Sequence, residues 1–182
     1  MRRAVGVRAP IAPASSHDAR AQIGRVVFEA AGCQNCHGGK NWTISALDST
    51  PPPAATQISD AQLVRFLCQV GTFDTTQFSD GKGNEIRANN ANNLQARGVL
   101  GMNVPSLISA FASAPYFHSG AAPTLEAVLE NKTHRRAGQP GGFDLLDIGL
   151  FRSLLVDFVE SIDRDTVPFL NPVPPAGFCG PA

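Results

Sequence analysis

The chain has 182 residues, 43 % hydrophobic and only 16 % charged, against about 25 % charged in ordinary soluble domains, and that length supports one domain with a proper core rather than two. Fifteen basic and fifteen acidic side chains cancel, which excludes a global field for nucleic acid or an anionic membrane. Seventeen glycines and fourteen prolines exclude a simple helical bundle and imply helices separated by long irregular loops.

Residues 1–17 are basic and read as an extended N-terminal segment, with His17 solvated. The longest apolar run there, Ala4 to Val7, falls short of the roughly 7–15 residues of a secretory signal core. Nothing in the chain approaches the roughly 20 apolar residues of a membrane span. A domain over 18–166 opens with a helix from about Asp18 to Ala31, in which Ile23, Val26, Val27, Ala30 and Ala31 fall on one face. Gly32 stops it. Gly38 to Thr56 carries three successive prolines and reads as loop. Ser59 or Asp60 caps a second helix with Leu63, Phe66, Leu67 and Val70 in its stripe, ended by Gly71.

Thr72 to Leu100 is polar, rich in asparagine and without period, an excursion over the surface. Thr124 caps a short helix carrying Leu125, Val128 and Leu129. Asp144 caps a longer one, with Asp147 near its positive end and Ile148, Phe151, Leu155, Phe158 and Ile162 as its stripe. The tail, 167–182, has four prolines before Cys179 and is expected to run extended along the surface. A Cys68–Cys179 disulfide would pin it to the domain; the alternative is a buried free Cys68 and an exposed Cys179. With no alternating strand of useful length, the class is mainly α.

Cys33, Cys36 and His37 spell C-x-x-C-H, the sequence that attaches haem covalently in c-type cytochromes. One helical turn sets two thiols beside the two vinyl groups and the adjacent imidazole beneath the iron. Structural zinc would need a second close ligand pair, and Cys68 and Cys179 lie far apart. A thioredoxin-like pair would need a βαβ context.

With that motif, the segments "GRVVFEAAGCQNCHGG", "NVPSLISAFASAPYFHSGAAPTLEAVL" and "LLVDFVESI" resemble the cytochrome c fold. More closely, they resemble the C-terminal haem domain of the bacterial di-haem cytochrome c peroxidase superfamily, which includes the rubber oxygenases. The resemblance implies helices wrapped around one covalent haem c, held through Cys33 and Cys36 with His37 as an axial ligand. The family's second haem domain would add another C-x-x-C-H, and this chain has one. Family members place the distal ligand shortly after the T-L-E helix, where this chain reads "NKTHRRAG". His134 is therefore the expected second ligand, with Met102 as the alternative.

The resemblance puts Pro105 of V-P-S-L in the haem pocket and His118 near the haem edge. Trp42, Tyr116 and Phe117 are expected to line the haem or else to form simple core, and Arg97, Arg135 or Arg136 to meet its propionates or else to stay solvated at the surface. A carbonyl within Ser49 to Pro53 is the expected acceptor for the His37 Nδ1 proton.

Single-electron transfer is the expected function, with a redox partner protein or a neighbouring haem domain and no nucleic acid. An enzyme domain acting on peroxide or dioxygen is the alternative, and a gas sensor a third reading. No distal acid and base pair of the kind that O–O cleavage needs is visible. Covalent haem and a structural disulfide point to the periplasm or the cell exterior. Without a recognisable signal peptide, the expectation is a processed or excised C-terminal part of a longer exported chain.

Overall fold

The computed structural model describes residues 18–45, 102–118, 120–139 and 141–173, together with the backbone of 67–68, 86–87 and 96–97. Helix α1 spans Ala19–Ala30, where Asp18 supplies the cap by accepting from the Arg20 amide at 2.8 Å. Gly32, at φ +73°, turns the chain out of α1 into a single helical turn, α2, over Gln34–His37. Strand β1 (Leu67–Cys68) pairs antiparallel with β4 (Met102–Asn103), and β2 (Ile86–Arg87) with β3 (Ala96–Arg97). A 3₁₀ turn over Ala110–Ala112 leads to α3 (Leu125–Glu130), then α4 (Lys132–Arg136), a 3₁₀ turn at Leu145–Asp147, and α5 (Gly149–Glu160). The described residues are thus mainly helical.

The crossing of α1 over α5 organises the core. A Cβ on Gly24 would collide with the Leu154 carbonyl oxygen and sit 2.7 Å from the Phe158 Cβ. Only glycine lets the two backbones approach this closely. That approach decides which side of α1 is buried: Ala21, Gly24, Val27, Phe28 and Ala31 face inward, while Ile23 and Val26 are 51 % and 65 % exposed. The face expected from apolar spacing is therefore rotated toward the small residues. On α5 the buried set is Leu154, Leu155, Val156, Phe158 and Val159, with Ile148 exposed.

Three further expectations change. Asp144 does not cap α5; its carboxylate accepts from the Leu146 amide and caps the 3₁₀ turn before it. At 67–68 the expected second helix gives way to strand, because the ladder to Met102–Asn103 takes up those backbone groups. The rest of that helix lies outside the described residues, as do Cys179 and the side chain of Cys68. The polar excursion contains the β2–β3 pair.

Phe28, Trp42, Phe158 and Phe169 form one aromatic cluster, with centroid separations of 5.3–5.9 Å. The Arg25 guanidinium caps it 4.3 Å from the Phe169 centroid, and burial there lowers its pKa. Phe169 packs against the core, its carbonyl accepting from the Gly39 amide at 2.6 Å, and anchors a tail whose Val167, Leu170 and Val173 stay exposed.

The Trp42 indole donates to the Thr166 carbonyl at 3.3 Å. The turn that presents this carbonyl is held by Asp163, whose Oδ1 accepts from Asp165 N, Thr166 N and Thr166 Oγ1 at 3.0, 2.8 and 2.7 Å. The Thr166 hydroxyl bond, with the backbone donors, lowers the Asp163 pKa. Unfolded, this carboxyl titrates near 3.9; folded, it does so lower. Its contribution is complete above about pH 4 and lost as pH falls through the folded value. Asp163→Asn should cost about 1 kcal/mol near neutrality, read by urea denaturation, and should flatten the stability loss below pH 4.

Candidate functional site

Gly32 and the α2 turn bring Cys33, Cys36 and His37 to one end of the aromatic core. Cys33 faces an apolar cleft; Cys36 is buried with Val104 and packed by Ile44. Both carry thiols rather than disulfide sulfurs. Burial, then the neighbouring Cys36, pushes the Cys33 thiol up to about 12, and burial pushes Cys36 up to about 11. Both are neutral at pH 7.

The V-P-S-L segment runs alongside. Thr43 Oγ1 donates to the Val104 carbonyl at 2.6 Å and the Leu107 amide to the Trp42 carbonyl at 3.3 Å. These bonds hold the Pro105 carbonyl 3.2 Å from His37 Nδ1. A carbonyl only accepts, so Nδ1 carries the ring proton and Nε2 keeps its lone pair. Pro105 thus takes the role expected of Ser49–Pro53, which lies outside the described residues.

Opposite His37 stands His134. Thr124 caps α3 by accepting from the Ala127 amide at 3.2 Å, and Asn131 ends α3 while its Oδ1 accepts from the His134 amide at 3.0 Å. That second cap starts α4 and turns His134 inward. The His37 and His134 ring centroids are 6.2 Å apart with planes at 69°. His134 Nδ1 is buried without a hydrogen-bond partner. Phe117, in the left-handed region at φ +63°, sets its ring edge-on to His134 with centroids 5.4 Å apart.

Both imidazoles line an apolar cleft, walled also by Phe28, Cys33, Leu107, Leu125, Val128, Leu129, Leu155, Val156 and Val159. It encloses about 420 Å³, open solvent included. Burial, then His134, lowers the His37 pKa to about 3, against the Pro105 carbonyl. Burial lowers His134 to about 4, against the Val128 carbonyl. Both rings are neutral at pH 7, with lone pairs to give.

A metal–imidazole bond of about 2.0–2.1 Å, plus ~1.1 Å from nitrogen to ring centre, puts two rings facing across one ion about 6.3 Å apart. The observed separation matches that figure. The orphaned His134 nitrogen, the protonated Nδ1 of His37, the apolar walls and the neighbouring thiols fit a haem in this cleft.

Other expected pocket residues lie elsewhere. Trp42 is 1 % exposed in the aromatic cluster and does not line the cleft. Met102 is half-buried on β4, also off the cleft. Tyr116 donates its hydroxyl to the Ala110 carbonyl at 3.0 Å, and His118 is exposed. Arg135, far from solvated, donates to Asp144 Oδ2 from Nε and Nη2 at 2.9 and 2.7 Å, to Asp147, and to the Leu129 carbonyl at 3.1 Å. Arg136 is exposed and reaches the Gly142 carbonyl at 3.4 Å; the Arg97 side chain lies outside the described residues. The cleft walls from α3 were legible as a helical stripe, but nothing in the sequence marked Phe28 or Leu107 as lining.

Residues 101–137 match the family model described as RoxA-like, cytochrome c-like. No curated protein and no solved structure gives a significant match to the chain. The matched stretch carries V-P-S-L, Phe117 and His134, whereas Cys33–His37 lie outside it. The match shows a likeness to cytochrome c-like domains over this stretch, in keeping with the helical fold. Among the described residues, no helix is long and apolar enough to cross a membrane.

Proposed function

We propose that the chain is a monohaem c-type cytochrome domain that relays single electrons. Cys33 and Cys36 would hold the haem covalently, and His37 and His134 would bind its iron. Bound there, the haem supplies an iron that exchanges one electron between ferric and ferrous states. The observation that carries the reading is that two imidazoles, 6.2 Å apart with planes at 69°, both line one apolar cleft beside Cys33.

The side chains then have distinct tasks. Pro105 fixes the His37 ring and, by accepting its Nδ1 proton, makes Nε2 a stronger donor. Asn131 and Phe117 orient His134 from its backbone and its ring. The aliphatic walls exclude water, which lowers the local polarity around any charge change. Held by both His37 and His134, the iron would have no open position for peroxide or dioxygen, which favours electron relay over an oxidising enzyme. Covalent attachment of this kind assigns the domain to the periplasm or cell exterior, with a redox protein or a second haem domain as partner.

An optical redox titration of the holoprotein tests the reading. One reversible one-electron wave, low-spin iron in both states and no peroxide consumption are expected. High-spin ferric iron with peroxide turnover would assign the chain to an enzyme instead.

A further inference from the structure

We propose that Asn35, the second variable position of C-x-x-C-H, is a positioning residue that keeps His134 on the metal axis by tying its loop to the loop of His37. The proposal rests on the reading of these two histidines as ligands.

The observations converge on one point of contact. Asn35 Nδ2 donates to the Gly138 carbonyl at 2.9 Å, partly buried. Beside that bond the two backbones touch. A Cβ on Gly138 would collide with the Gly32 carbonyl oxygen, and one on Gly32 would lie 2.8 Å from the Gly138 oxygen and 2.9 Å from Gln139 Cβ. Each loop is internally tight: the Asn35 amide donates to the Gly32 carbonyl, and the Ala137 amide to the His134 carbonyl, both at 3.0 Å.

Movement of Gly138 is therefore passed to His134 within one turn of chain, and movement of Gly32 to Cys33. Asn131 holds the start of α4 through the His134 amide; Asn35 holds its far end. Between them the α4 turn is fixed at both ends against the C-x-x-C-H loop. Alanine at 35 leaves the partly buried Gly138 carbonyl without this donor. Aspartate has nearly the same shape but, ionised, sets a carboxylate against the carbonyl.

The measurement is carbon monoxide association with the ferrous holoprotein at pH 7, since the gas enters only when the distal imidazole leaves. Removing one neutral hydrogen bond should raise that rate about 3- to 10-fold in Asn35→Ala, and at least as much in Asn35→Asp. Asn35→Gln, which retains a donor on a longer arm, should recover part of the wild-type rate. All three should keep a low-spin ferric spectrum at rest. Variants that lose only thermal stability while their carbon monoxide rates equal wild type would overturn the proposal. His134→Ala separates the two levels: if it stays low-spin, the ligand assignment itself fails. If it turns high-spin while the Asn35 rates are unchanged, only the clamp fails.

Discussion

Replacing His134 with alanine should convert the ferric holoprotein from low spin to high spin, seen as loss of the bis-histidine signature in near-infrared magnetic circular dichroism. The expectation follows from the shape of the cleft. Apart from His37 and His134, its lining is aliphatic and aromatic with the Cys33 sulfur, and the Cys33 thiol is committed to attachment in this reading. Met102 sits on β4, paired through its backbone with Cys68. With the second imidazole gone, water would be the ligand left to the iron. The midpoint potential should rise as well, because the second imidazole's electron donation is lost. A methionine signature that survives the substitution would move the ligand to Met102, at the cost of unpairing β4. Added imidazole should restore the low-spin spectrum by filling the space the side chain left.

Arg135→Ala should destabilise the protein by about 3–5 kcal/mol, the cost of breaking a buried ion pair by removing one partner. Arg135 is 6 % exposed, and its guanidinium joins three elements: the end of α3 through the Leu129 carbonyl, α4 by its own backbone, and the 3₁₀ turn through Asp144 and Asp147. Burial alone would lower its pKa, but hydrogen bonds and charge from Asp144, then Asp147, raise it above the ordinary value. Asp144 is left most exposed to the loss, since its side chain is only 12 % accessible. Guanidinium denaturation of wild type and variant measures the effect. A solvated arginine would cost under about 1 kcal/mol, so the outcome separates the two roles. Arg135→Lys keeps the charge but not the fork, and should fall between them.

Helix limits near capping residues were legible in the sequence. Asp18 and Thr124 stand where α1 and α3 begin, and Gly32 where the chain leaves α1. The helical turn at C-x-x-C-H was legible too, because the proposed haem attachment needs Cys33, Cys36 and His37 within one turn. The buried face of α1 was not. Ile23 and Val26 are more apolar than Gly24, and only the proximity of α5 reverses their order. The α4 turn was hidden for a related reason: "NKTHRRAG" reads as a polar loop until Asn131 is seen to cap it and Arg135 to be buried against Asp144. Isolated charges look solvated in a sequence when their partners are nine and twelve residues away. The strand at Leu67–Cys68 depends on Met102–Asn103, a pairing that local periodicity does not encode.

The crossing of α1 over α5 also bears on how the chain folds. Arg20 meets Asp157 at 2.6 Å across 137 positions of sequence, so the core joins two distant stretches, and the cleft exists only after both have met. Contacts of such separation make folding slow, because the chain loses loop entropy before it gains packing. That entropy grows only logarithmically with loop length, by about 0.6 kcal/mol for each doubling. A longer connection between α1 and α5 therefore costs little in loop entropy. The loops that carry Gly32 and Gly138, by contrast, meet with no room for even a methyl group at Gly138.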